Sequence, residues 1–453
     1  MVTEITDEHG VVICRFTITQ SESECVLSDV SGKFVSIECN ETSIIVDGIT
    51  HPIDNPINVI GDYAFDMCLS LTTVVGFANV TRIGESAFVD RKLITSIPEF
   101  NKVVIIGQRA FQNCELLTNI AGFTDIEYIG ASAFSKCKSL TTIPEFNNVT
   151  IVGENTFWGC SALTTITGFA KITNIGSGAF SGLSSLTTVP NFYNVVSIGE
   201  CAFFNCIALT HLPEFINVTI IGYCAFQSCI ALTKLPEFIN VRTIRENAFY
   251  RCYALKSVPE LKNVRTIGEI AFSECTALAS ITGFANVTSI EANAFAGCTA
   301  LTQISGFQNV TSIGNDAFVG CTALTQISGF QNVTSIGNRV FYSCVNLKDI
   351  DVFQNVTSIG DNAFMGCLNL LDVTVFDDVT KIGSTAFSGD VKTNNKIILQ
   401  QMFDVRINAI GTYVVQLSVA SLLVYTIYKK SRFSISVKTV YTIEDFKPPL
   451  GAV

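Results

Sequence analysis

Phenylalanine recurs at an unbroken interval of 23 residues, fifteen times, from Phe65, Phe88 and Phe111 to Phe341, Phe364 and Phe387. No insertion or deletion interrupts the run. Every unit must therefore fill the same volume and stack on its neighbours, as in a quasi-one-dimensional solenoid. A chain of 453 residues would otherwise suggest about three domains, but here one short unit has been copied.

One unit, Leu301 to Ala323, reads LTQISGFQNVTSIGNDAFVGCTA. Its apolar positions Leu301, Ile304, Phe307, Val310, Ile313, Ala317, Phe318 and Cys321 are expected to form inward-pointing ladders. The segment Leu301 to Ser305 places Thr302 and Gln303 between apolar residues, which suits a short strand and one parallel sheet with a strand per repeat. Gly314 suits a turn of positive φ leading into a short helical or 3₁₀ stretch, Asn315 to Gly320, on the outer face. At about 4.8 Å per strand, the coils would make an arc on the order of 70 Å long.

Composition agrees with a buried, copied core. Hydrophobic residues make up 48% and charged residues 15% of the chain, against about 25% charged in ordinary soluble domains, so disorder is excluded. The 39 acidic and 28 basic residues give a net charge of −11, which opposes nucleic-acid binding. The N-terminus, with Glu4, Asp7 and Glu8, lacks the basic start and apolar run of a secretory signal peptide.

The string VTSIGxxAFxxCxxLxxI in Val310 to Ile327, repeated in Val333 to Ile350 with Val340 in place of the alanine, resembles the BspA-like leucine-rich repeats. The resemblance covers residues 58 to about 390. It implies an α/β repeat solenoid: a curved, right-handed leucine-rich-repeat arc of 15 coils, with a parallel sheet on the concave face and β-rich terminal caps. For characterised relatives it implies surface display and adhesion to host or extracellular-matrix proteins. One departure concerns the residues after the strand. The family usually has Ile-Pro there, whereas this chain has Gly306-Phe307 or Glu214-Phe215, with proline one position earlier at Pro213, Pro236 and Pro259.

Residues 1–57 read as an N-terminal β cap, from the runs Val11 to Thr19, Glu24 to Val30, Phe34 to Glu38 and Ser43 to Ile49. An open solenoid exposes a sheet edge, so a cover at the end has a physical reason. Residues 58–390 are the repeats, and 391–453 form either a C-terminal β cap or a membrane-anchor segment. Residues 407–428 carry no charge and are followed by Lys429, Lys430 and Arg432, as in a membrane span. Against this, the run holds many polar residues, and Val424 to Tyr428 with Phe433 to Val437 suits a capping hairpin.

Twelve of the 17 cysteines, among them Cys68, Cys298 and Cys367, sit three residues after the core phenylalanine, where Leu183 replaces them in one repeat. That exchange marks a small buried hydrophobe, and no CxxC pair suggests a metal. Cys201 and Cys224 lie instead two residues before the phenylalanine, at a position expected to be exposed. They are either two unpaired thiols or a disulfide between repeats, since adjacent coils approach the roughly 4.4–6.8 Å Cα separation a disulfide needs. Glu214, Glu237 and Glu260 fall in successive coils, and nearby Lys and Arg residues are expected to neutralise them. Threonine recurs along the expected strand, either as ordinary β-propensity on a solvated face or as a hydroxyl-lined binding face. In the second case His211, Lys234, Gln303, Gln326, Lys348 and Asp349 would vary its chemistry. Asn-x-Thr sequons at Asn40, Asn79, Asn148, Asn217, Asn286, Asn309, Asn332 and Asn355 read mainly as a by-product of asparagine in a repeated turn.

Only His9, His51 and His211 are present, and no phosphate loop, GxSxG or HExxH string occurs. The expected function is non-enzymatic, without cofactor or metal: a cell-surface protein binding a protein ligand, such as an extracellular-matrix or cell-surface protein, with a membrane contact through 407–428 left open. The alternative is a cytoplasmic interaction scaffold.

Overall fold

A computed structural model describes residues 2–402 apart from 22, 99, 389 and 390. The chain divides into two compact units, Met1–Ile398 and Leu399–Val453; in the second, the described residues 399–402 are helical. The first unit is a β-solenoid with little helix.

Its continuous parallel sheet does not run through the segment that sequence alone favours. It runs through two-residue strands nine positions later, from Val59–Ile60 and Arg82–Ile83 to Ser358–Ile359 and Lys381–Ile382, one per coil in strict register. From Arg82–Ile83 to Ser358–Ile359 each strand buries its second residue and turns its first towards solvent, whereas Val59 is itself buried and Ile382 only half-buried. Thr311 N donates to Thr288 O at 3.1 Å and Gly314 N to Ile290 O at 2.8 Å. Among the described residues, the Leu301–Ser305 segment pairs coil to coil as a sheet through Ser280–Ile281, Gln303–Ile304 and Gln326–Ile327, and elsewhere through isolated bridges such as Ser96–Asn119 and Thr165–Thr188. Proline accounts for much of the difference, although the coils with Ala121, Thr167 and Asp351 at that position also lack a strand there. Ser305 N donates to Ile281 O, and Ser328 N to Ile304 O, both at 2.9 Å. Pro98, Pro144, Pro190, Pro213, Pro236 and Pro259 stand at the equivalent position and have no N–H to give.

The segment expected to be helical is a run of turns that splits its backbone donors between two partners. Asp316, Phe318 and Gly320 donate to the next coil, at Asn338 O, Val340 O and Tyr342 O, over 2.8–2.9 Å. The alternate residues Val319 and Cys321 donate back within the coil to Asp316 O and Phe318 O. Positive φ falls on Asp316 (59°) and Gly320 (71°). Gly314 is glycine for another reason: a Cβ there would sit 2.7 Å from the backbone nitrogen of Ala292 in the preceding coil.

The core is two phenylalanine ladders. Phe318 stacks between Phe295 and Phe341, each 5.4 Å away and within 4° of parallel. Phe307 and Phe330, on the second ladder, are also 5.4 Å apart, and Phe330 meets Phe318 edge to face at 6.3 Å. Such pairs add about 0.5–1.5 kcal/mol beyond the area they bury, and the repeat multiplies that gain along the stack.

The N-terminal strands are β1 (Val2–Thr6), β2 (Val12–Gln20), β3 (Cys25–Gly32), β4 (Ser36–Cys39), β5 (Ser43–Val46) and β6 (Ile49–Pro52). β3 pairs in parallel with Val59–Ile60 and so begins the continuous sheet; β2 and β1 then extend it with antiparallel pairing. β4 pairs in parallel with Thr73–Gly76 and begins the second track. The expected run Ser43 to Ile49 is broken into β5 and β6 by Asp47–Gly48, both at positive φ, a hairpin turn. At the other end, bonding to the last coil continues past 390. Lys392 N donates to Leu371 O at 2.7 Å, and Asn395 Nδ2 donates to Phe376 O and Val379 O. The segments 407–428 and 424–437 lie outside the described residues. Among the described residues, no helix is long and apolar enough to cross a membrane.

Candidate functional site

Coil stacking carries each register position along the solenoid as a rung-by-rung stripe. His211, Lys234, Gln303, Gln326 and Asp349 all fall on one stripe, and Lys348 falls on the position before it; all six are exposed. Gln303 and Gln326 are direct register partners, and Lys234 bridges to Ser257. The coils of Ser257 and Ser280 separate the His211–Lys234 pair from the glutamines, so the six form a stripe and not one cluster. His211 Nδ1 lies 2.9 Å from Thr210 Oγ1, and Asp349 Oδ1 accepts the N–H of Asp351 at 3.0 Å. Asp349 is thus partly occupied in a local turn.

The neighbouring threonine stripe is not a row of free donors. The Oγ1 groups of Thr210, Thr233, Thr302 and Thr325 donate to main-chain oxygens of the preceding coil at 3.0–3.4 Å. These hydroxyls staple coil to coil, and what they offer outward is a methyl group and an acceptor oxygen. Asparagine works similarly in the Asn-Val-Thr units. Asn217, Asn286, Asn309, Asn332 and Asn355 donate Nδ2 to a carbonyl one coil back over 2.6–2.7 Å.

Twelve ladder cysteines are buried free thiols. Cys321 Sγ donates to Phe295 O at 3.3 Å, and its equivalents do the same up and down the stack. Burial pushes Cys114, Cys206, Cys252 and Cys298 up to about 12, which makes them poor nucleophiles. Cys201 and Cys224 are also free, and their position is less open than expected: Cys201 is half-buried and Cys224 only 5% exposed. Of the three expected glutamates, Glu260 pairs with Lys262 at 3.0 Å, while neighbouring acids pair as Arg251–Glu274 and Arg245–Glu200. Among the described residues, no three His, Cys, Asp or Glu side chains are grouped to hold a metal ion.

Another surface feature lies outside the expected threonine face and its variable positions. Tyr193, Ile216 and Ile239 occupy one exposed rung position in three successive coils, and Ile207, Ile230 and Tyr253 occupy another. Their exposures run from 38% to 54%. From Ala254 to Phe364, no described residue of the large apolar kind is exposed. The sign of this was present in the sequence. Leu69 and Leu368 are exposed on the second rung too, but only these three coils place Ile or Tyr on both rungs, where most other repeats have a small or polar residue such as Gln308 or Thr276.

The family model for the BspA type leucine-rich-repeat region matches residues 58–187, 173–302 and 265–394. No curated protein matches the chain. Among solved structures, a leucine-rich-repeat protein from Bacteroides ovatus is 25% identical, with a TM-score of 0.66 over 82% of this chain and 97% of that one. A leucine-rich cell surface protein from Faecalibacterium prausnitzii is 27% identical, with a TM-score of 0.51 over 86% of this chain and 95% of that one. With three overlapping matches spanning most of its length and a solenoid of the same kind beneath them, the chain belongs to the BspA-type leucine-rich-repeat family.

Proposed function

We propose that this protein is a non-enzymatic surface protein that binds a host, matrix or other protein ligand through the outward faces of its solenoid. Leucine-rich-repeat proteins of this family are generally protein-binding. The observation that carries the reading is the pair of apolar rungs, Tyr193–Ile216–Ile239 and Ile207–Ile230–Tyr253, which occur together in three coils, while no described large apolar residue is exposed between Ala254 and Phe364. Along each rung three apolar side chains are stacked in successive coils, and covering them has a desolvation gain that only a partner realises. The variable stripe through His211 and Lys234 crosses the same coils and would supply polar specificity beside them. Surface display is supported by the cell surface protein of Faecalibacterium prausnitzii among the structural relatives.

The test is labelling of intact cells of the source organism with a membrane-impermeant reagent. Labelling is expected, and ligand captured by the full chain should be lost when Tyr193, Ile216 and Ile239 are changed together to serine. Absence of labelling overturns surface display and favours the intracellular scaffold, for which the many reduced, buried thiols speak.

A further inference from the structure

Two of the fifteen coils place cysteine two residues before the core phenylalanine, and those two coils are neighbours. Side chains on this rung reach one another along the stack. Elsewhere on it, Arg339 Nε meets Asp316 Oδ1 at 3.2 Å and Thr385 Oγ1 bonds Asn362 Oδ1, and a Cβ on Gly178 would run into Asn155 Oδ1. The backbones of the cysteine pair are held alike: φ is 52° at both, Cys201 N donates to Tyr223 O at 2.8 Å, and Cys224 N donates to Glu246 O at 3.0 Å. Coils about 4.8 Å apart lie within the roughly 4.4–6.8 Å Cα window of a disulfide.

We propose that Cys201 and Cys224 are an oxidisable pair whose disulfide, formed by exchange with a small-molecule or protein disulfide, staples two successive coils in the region of the apolar rungs. Cys201, the more exposed, attacks first. Its thiolate displaces one sulfur of the oxidant as a thiolate and leaves a mixed disulfide. Cys224 then gives its proton to solvent and attacks Cys201 Sγ, releasing the second oxidant thiolate as the Sγ–Sγ bond forms. The pair loses two electrons and two protons, and the oxidant disulfide becomes two thiols. Burial holds Cys224 at about 11, consistent with its acting second. The nearby core thiols are kept out of the exchange, because Cys206 and Cys229 are buried with Sγ bonded to Phe180 O and Phe203 O.

The full chain, reduced and then incubated with glutathione disulfide, is quenched, alkylated and digested with chymotrypsin. Cleavage after Phe203 and Phe226 separates Cys201 and Cys224 from Cys206 and Cys229. The expected product is one linked peptide pair, Cys201 to Cys224, two hydrogens lighter than its parts, with a urea midpoint that rises on oxidation and falls back on reduction. The variant Cys201→Ser should fold, since Ser86 and Ser132 occupy the same rung, and should show neither the link nor the rise; Cys224→Ser serves as a second control. Recovery of the two cysteines separately alkylated or glutathionylated overturns the proposal, as does a link to Cys206 or an equal rise in Cys201→Ser.

Discussion

Asn217 and Asn332 are followed by Val-Thr, Asn240 and Asn263 by Val-Arg, yet all four donate Nδ2 to a carbonyl of the preceding coil at 2.7 Å. The asparagine persists where the sequon does not, so the amide itself is what the coil uses, and the sequons follow from placing threonine two residues later. Thr334 has its own cross-coil bond, to Thr311 O at 3.4 Å. Removing one such amide leaves a carbonyl short of a partner, a loss of about 1 kcal/mol. Asn240→Ala and Asn332→Ala are therefore expected to lower stability by similar amounts in unglycosylated protein, read from urea midpoints. A harmless Asn332→Ala would return the sequons to a glycosylation role. The turn preference of asparagine was legible from sequence, but its partner was not, because that partner is 24 residues away and is set by stacking.

The two strand tracks show how an element can be right in kind and wrong in place. Both segments alternate between inward and outward residues, and propensity does not separate them. What separates them is the main-chain N–H. The continuous track has donors in every coil, while the Leu301–Ser305 track meets proline in many coils. Ser305→Pro should thus be tolerated, keep the fold and cost about 1 kcal/mol for one bond. Thr311→Pro removes the donor to Thr288 O within the continuous sheet, and is expected to cost about 1–3 kcal/mol and to weaken pairing on both sides. Denaturation curves of the two variants compare them directly; equal losses would mean that the two tracks bear the same share of stability.

Along the whole molecule the ladder thiols act together. In an unfolded chain they ionise near 9.0, while burial raises Cys114, Cys206, Cys252 and Cys298 to about 12. The folded state holds protons that the unfolded chain releases above pH 9. The contribution is complete below about pH 9 and is lost as pH climbs towards about 12. Urea midpoints are expected to be flat near neutrality and to fall above about pH 9, with a shallower fall when Cys252 and Cys298 are both changed to alanine. A fall of undiminished slope in that double variant would trace the effect to other groups.

The interval of 23 residues, the inward rungs and the burial of twelve cysteines followed from the sequence alone, because copying one unit copies its apolar volume, and only stacking buries that volume in every copy. The strands before the first repeat were legible too, as short runs rich in β-branched and aromatic residues. Tertiary structure decided which segment bonds as the continuous sheet, why Gly314 is glycine, and where the amides and hydroxyls of the rungs are committed. Each of these depends on a partner one coil away, some 22–26 residues along the chain, and no local propensity encodes that distance.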